Sequence, residues 1–246
     1  MKKFLIFTSI LLCLTAPVAA YKQTDLDTLM SSKTCPKGDL SGAQLINIDL
    51  TSANLSGADL SFANLEGTVL ENANLRGANL EKANLKTAYL SGATLDGANL
   101  NGANFYNAYL NKASLVGINA FRTNFSHASL TFANFYVANL QEANFDYING
   151  SLANFVAANL AQAWLYNANL STANLTDSNL YNAKLQNATL VAANMQNANL
   201  TSAVLRNANL SLADLTNTNL DQTDLLDANM NGTKFTAGDL KTSRIK

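Results

Sequence analysis

Residues 73–100 read ANLRGANLEKANLKTAYLSGATLDGANL. Leu returns at every fifth position, at Leu75, Leu80, Leu85, Leu90, Leu95 and Leu100. Ala stands two residues before each, from Ala73 to Ala98. A period of five fits neither an amphipathic helix nor a half-buried strand, whose apolar residues recur near 3.6 and 2. Two inward residues per five, one small and one large, suit a narrow square tube with one pentapeptide per side. The Leu fills the axis, the Ala lets the backbone turn close to it, and the other residues face outward.

Outward from this stretch the register holds from Leu40 to Leu240. Of the 41 large positions, 31 are Leu, six are Phe and two are Met; only Ala120 and Gly150 break the series. The small position is Ala in 30 of 41 cases, and Asn lies between the two in 23. No insertion or deletion disturbs the period.

An A-(N/D)-L-x-x motif held over residues 38–240 resembles the pentapeptide-repeat family. The resemblance implies an all-β fold, a right-handed quadrilateral β-helix with four pentapeptides per coil. About ten coils at the ~4.8 Å ladder spacing make a rod roughly 48 Å long.

With a twenty-residue coil, residues twenty apart stack. Phe105, Phe125 and Phe145 then form one core column. Phe135 and Phe155 form another on the opposite face, with Phe235 further along it. At Ala120 and Gly150 the inward pair has exchanged sizes, because Ile118 and Ile148 occupy the small position. Total volume is roughly kept, which cores tolerate best. Asn79, Asn99, Asn119, Asn139, Asn159, Asn179, Asn199 and Asn219 share a column in which side-chain amides can bond along the axis. Gly57, Gly77, Gly97 and Gly117 share a turn column. Glu66 with Lys86, and Arg76 with Asp96, are spaced to pair between coils.

The ends carry different signals. Lys2 and Lys3, the apolar run Phe4–Leu14, and small residues from Ala16 to Ala20 read as a signal peptide cut after Ala20. The run is short for a membrane span, so no stable membrane insertion is expected after cleavage. Leu12 stands where a lipoprotein signal needs a small residue before Cys13. The expected divisions are a signal peptide (1–20), an N-terminal cap (21–37), the β-helix (38–240) and a C-terminal tail (241–246). In the cap, Thr24 and Asp27 resemble a capping pair, and Leu26, Leu29 and Met30 have helical spacing, so a short helix is expected over the first coil. No cap is visible after Leu240, which makes that end a candidate homodimer contact.

Export places the protein in the periplasm or outside the cell, or in the thylakoid lumen of a photosynthetic host. After cleavage, 14 basic and 17 acidic residues remain. That balance argues against nucleic acid as a partner. The one remaining cysteine, Cys35, cannot form an internal disulfide. His127 is the sole histidine. No metal spacing, phosphate loop or catalytic constellation is present, so neither a cofactor nor an enzyme is expected.

The middle coils expose apolar residues. Val116, Tyr136 and Val156 share one outward column with Val137 beside it, and Phe132 and Leu152 share a neighbouring one. Contiguous exposed apolar surface marks interfaces, so these six residues are the candidate protein-binding patch. Phe121 faces another side, and Val69, Tyr89 and Tyr109 form a weaker column. The leading expectation is a non-enzymatic scaffold for an unknown protein partner. The alternative is a structural rod or self-associating dimer. Cytoplasmic members of the family resemble DNA and protect DNA gyrase. An export signal, mild charge and uninterrupted coils rank that role last here.

Overall fold

A computed structural model describes residues 21–236. The expected signal peptide, the tail and the coil edge at Leu240 lie outside them. Parallel bridges join each residue at the middle position to the one twenty further on, from Thr34 with Asn54 through Asn209 with Asn229. The last coils add β1 (Asp214–Leu215) and β2 (Lys234–Phe235), paired in the same register. Each twenty residues contain four turns.

One pentapeptide shows how the backbone is satisfied. The amide of Ala78 closes a turn onto the Leu75 carbonyl at 3.0 Å. Asn79 donates to Ala58 on one neighbouring coil at 2.9 Å; Leu80 and Lys82 donate to Asn99 and Asn101 on the other, at 2.7 and 2.9 Å. The fifth amide, Glu81, has no carbonyl to reach, and donates to the Asn79 side-chain oxygen at 3.2 Å. A buried amide without an acceptor costs about 1–3 kcal/mol, so the middle position favours Asn or Asp. The same Asn then donates from Nδ2 to the neighbouring coil, as Asn99 does to Asn79 at 3.0 Å and Asn199 to Asn179 at 3.1 Å. The expected Asn column therefore serves the turns as well as the axis.

The second turn residue adopts a left-handed backbone at every turn from Lys37 to Gly232, with φ between 51° and 70°. This is the β-turn class whose third residue has positive φ, which Gly and Asn adopt at least cost. The glycine column at Gly57, Gly77, Gly97 and Gly117 follows from it.

The core is the stacked large and small positions. Phe105, Phe125 and Phe145 stack at 5.1 and 4.9 Å between centroids, and Phe135 and Phe155 at 4.9 Å. The two columns meet edge to face across the axis, Phe125 against Phe135 at 5.8 Å. Ile148 and Ala120 are buried as the size exchange requires. A Cβ added to Gly150 would press on Ile148 Cδ1 and Leu170 Cδ2, both at 3.1 Å, so the large neighbour has filled the vacated space. Where Thr replaces the inward Ala, its hydroxyl finds a carbonyl: Thr68 donates to Leu45 and Thr123 to Leu100, both at 2.6 Å.

A helix, α1 (Gln23–Ser32), precedes the first coil. Leu29 is buried and Leu26 packs on the core, but Met30 is exposed. The expected Thr24–Asp27 cap does not form. Lys22 is the N-cap and makes no side-chain cap bond. Thr24 lies inside the first turn, where its hydroxyl reaches Asp25 instead. The Asp25 carboxylate docks the helix by accepting from the Asp39 amide at 2.9 Å, and that bond holds its pKa below the ordinary value.

Two further expectations are corrected. Phe235 is exposed, not core, since it lies on the last described coil with no described coil beyond to cover it. Among the described residues Glu66 does not pair with Lys86; its carboxylate accepts instead from the Asn84 side-chain amide on the next coil, at 3.1 Å. Arg76 does pair with Asp96, at 3.1 Å. Cys35 is a buried free cysteine. Its thiol donates to the Asp25 carbonyl, and burial raises its pKa.

Candidate functional site

The six patch residues lie on two successive turns of the middle coils. Val116, Tyr136 and Val156 are first turn residues of one column, and Val137 is the second turn residue beside Tyr136. Phe132 and Leu152 are second turn residues of the preceding turn column. Backbone bonds hold the first column in line: Gly117 donates to the Tyr136 carbonyl at 2.9 Å and Val137 to that of Val156 at 3.0 Å. Phe132 is 53% exposed, Val137 47%, Leu152 46% and Tyr136 45%; Val116 and Val156 are half-buried. The face between these turns carries Asn134 and Asn154, bonded to each other at 2.8 Å.

Three of the six occupy left-handed backbone, Phe132 at φ 61°, Val137 at 51° and Leu152 at 61°. Among the described left-handed residues, the β-branched ones are Thr87, Val137 and Thr172. Each threonine recovers a hydrogen bond to the preceding carbonyl, at 2.7 and 2.6 Å. Val137 has no hydroxyl to do so. It therefore keeps the strain, roughly 1–2 kcal/mol, while about half its side chain stays in water.

The opposite side of the coil, behind the other Phe column, holds a second constellation that the sequence did not reveal. The His127 ring stacks on Tyr147 at 5.0 Å and meets Tyr106 edge-on at 5.2 Å. The sequence marked His127 only as the sole histidine. Its spacing of about one coil from both tyrosines was the available signal. Across the same face, Arg122 donates from Nε to Glu142 Oε2 at 2.7 Å and lies over the Phe121 ring at 4.7 Å. Trp164 replaces the Asn of this face and is exposed.

Losing the middle Asn orphans an amide, and at three such positions the preceding coil supplies a replacement. With Ser114 in place, Asp96 accepts from the Val116 amide at 3.2 Å. With Ser129, Asn111 accepts from Thr131 at 3.1 Å. With Trp164, Asp146 accepts from Tyr166 at 2.8 Å. Burial pushes the Asp146 pKa up, opposed by that amide bond and by His127.

Among the described residues no cluster of His, Cys, Asp or Glu could hold a metal ion, and no helix is long and apolar enough to cross a membrane. The weaker column is real as geometry, with Tyr89 and Tyr109 stacked at 5.0 Å.

Eight stretches, together covering residues 39–149 and 153–244, match the family described as pentapeptide repeats. No curated protein matches. Among solved structures, the chain is similar to HetL, a pentapeptide repeat protein involved in heterocyst differentiation regulation from the cyanobacterium Nostoc sp. strain PCC 7120. The two are 29% identical over 92% of this chain and 94% of HetL, with a TM-score of 0.58. QnrB1, a plasmid-mediated fluoroquinolone resistance protein, is 18% identical over 79% of this chain and 92% of its own, at a TM-score of 0.33. Rfr23, from the cyanobacterium Cyanothece 51142, is 17% identical over 91% and 99%, at 0.26. The likeness to HetL, with the parallel twenty-residue register, implies a right-handed β-helix.

Proposed function

The chain belongs to the pentapeptide-repeat family, and on that premise we propose that it is a non-enzymatic scaffold that binds a protein through its middle apolar patch. The helix is four-sided, with about ten coils. Residues 1–20 direct export to the periplasm or cell exterior, or to the thylakoid lumen in a photosynthetic host. Their basic start, apolar core and small residues before the cut support that address. The near-balance of 14 basic and 17 acidic residues in the remaining chain supports a protein partner over nucleic acid.

One observation carries the reading. Val137 bears left-handed strain with no local compensation and remains exposed. Asn or Gly would fill that turn at lower cost. Phe132 and Leu152 repeat the pattern on the adjacent turn. Strain held against a cheaper alternative points to selection for something outside the fold, and contiguous apolar exposure points to a contact.

The test is affinity capture from the native envelope fraction. The bait is residues 21–246, beside a Tyr136→Asp, Val156→Asp variant shown by circular dichroism to keep its β signal. A protein retained by the unaltered bait alone supports the reading. Equal retention by both baits refutes it.

A further inference from the structure

A groove beside Trp164 has a chemistry unlike that of the patch. Coils below it, the same column carries Asn84, Asn104, Asn124 and Asn144, with side-chain bonds such as Asn124 to Asn104 at 3.1 Å. Trp164 ends that ladder, since an indole cannot accept. The fold accommodates the change through Asp146, which takes the Tyr166 amide. The indole then stands 53% exposed over an open groove of about 400 Å³, lined also by Arg122, Glu142, Gln162, Asn182 and Lys184. Two contacts set the polar rim: the Arg122–Glu142 pair at 2.7 Å and Lys184 Nζ donating to Asn182 Oδ1 at 3.0 Å.

We propose that this groove binds an acidic saccharide, a pyranose bearing a carboxylate, with the sugar ring stacked on Trp164. A pyranose has an apolar C–H face and a rim of hydroxyls that donate and accept. The flat indole matches the first through dispersion. The amides of Gln162 and Asn182 match the second, since each both donates and accepts, and the Glu142 carboxylate adds an acceptor. Arg122 is neutralised by Glu142, which leaves the Lys184 ammonium as the charge in excess. One positive charge suits a monoanionic carboxylate. A phosphate, with nearly two negative charges, would lie against Glu142 and be repelled. The volume falls within the range of small-ligand sites, where a few placed polar groups fix orientation.

Trp164 is the chain's single tryptophan, so its emission reports on this groove alone. The protein is titrated with galacturonic acid, its methyl ester, galactose and adenosine monophosphate, by fluorescence and by calorimetry. The acid gives a saturable response, and the ester and galactose bind at least about fivefold more weakly. Trp164→Asn, which restores the residue this position favours and so keeps the fold, abolishes the calorimetric signal. Lys184→Gln brings acid and ester to within about twofold of each other. Tyr136→Asp leaves the titration unchanged. No saturable response, equal binding of acid and ester, tighter binding of the nucleotide, or undiminished heat with Trp164→Asn overturns the proposal.

Discussion

Val137→Asn should make the protein more stable while weakening its function. The native φ of 51° costs an L-residue roughly 1–2 kcal/mol, with a β-branched side chain at the upper end. Asn adopts this backbone readily and is close to Val in size. Complete burial of Val contributes about 1.5–3 kcal/mol, but Val137 is 47% exposed. Only about half of that is at stake, and Asn keeps part of the contact. The net gain is about 0.5–1 kcal/mol, or a rise of about 1–4 °C in thermal midpoint for a chain of this size. Thermal melts followed by far-ultraviolet circular dichroism measure it. Thr87→Val is the reciprocal change: it removes the hydroxyl bond to Lys86 and should lower the midpoint. If Val137→Asn leaves the midpoint unchanged or lowers it, Val137 bears no strain. The argument from strain to function then fails.

Other outcomes follow from the same geometry. Leu180→Asp puts a carboxylate on the axis, where Leu180 is fully buried; it should abolish the cooperative melt, and a native-like transition would contradict the packed axis. Asp146→Ala orphans the Tyr166 amide and should cost about 1–3 kcal/mol, whereas Asp146→Asn keeps the acceptor and should cost little, as chemical denaturation would show. The folded pKa of Asp146 is raised, so its contribution is complete below the unfolded pKa near 3.8 and declines as pH rises through the folded value. Asp146→Asn should remove that decline. Asp49 runs the other way: bonds from Thr51 and Lys33 lower its pKa to about 2. Protection of the Thr51 amide, 2.9 Å from Asp49, should hold above pH ~4 and fall toward pH ~2 in hydrogen exchange; constant protection would contradict the assignment.

The register, the Phe columns and the exchanged sizes at Ile118 and Ile148 were legible in the sequence, because each follows from which residues point inward every five. The reason for the middle Asn was not. It depends on the fifth amide of each unit lacking a carbonyl, which only the backbone path reveals. The left-handed turn residue was hidden in the same way: the sequence displayed a glycine column, yet residues as unsuited as Val137 share its conformation. Phe235 was misread because a place in the pattern does not by itself bury a side chain: it lies on the last described coil and is exposed. The Thr24–Asp27 cap failed because α1 begins one residue before Thr24 and is docked by Asp25. The patch residues could be named from the sequence. His127 between two tyrosines, and Trp164 beside Lys184, could not be read as surfaces without side chains placed across neighbouring coils.

Photo-crosslinking inside the native host tests the central claim most directly. A benzophenone amino acid is placed in turn at Phe132, at Leu152 and, as a control away from the patch, at Tyr181. The account predicts one and the same protein crosslinked from both patch positions and none from Tyr181. Adducts absent from the patch, or identical from all three positions, would contradict it.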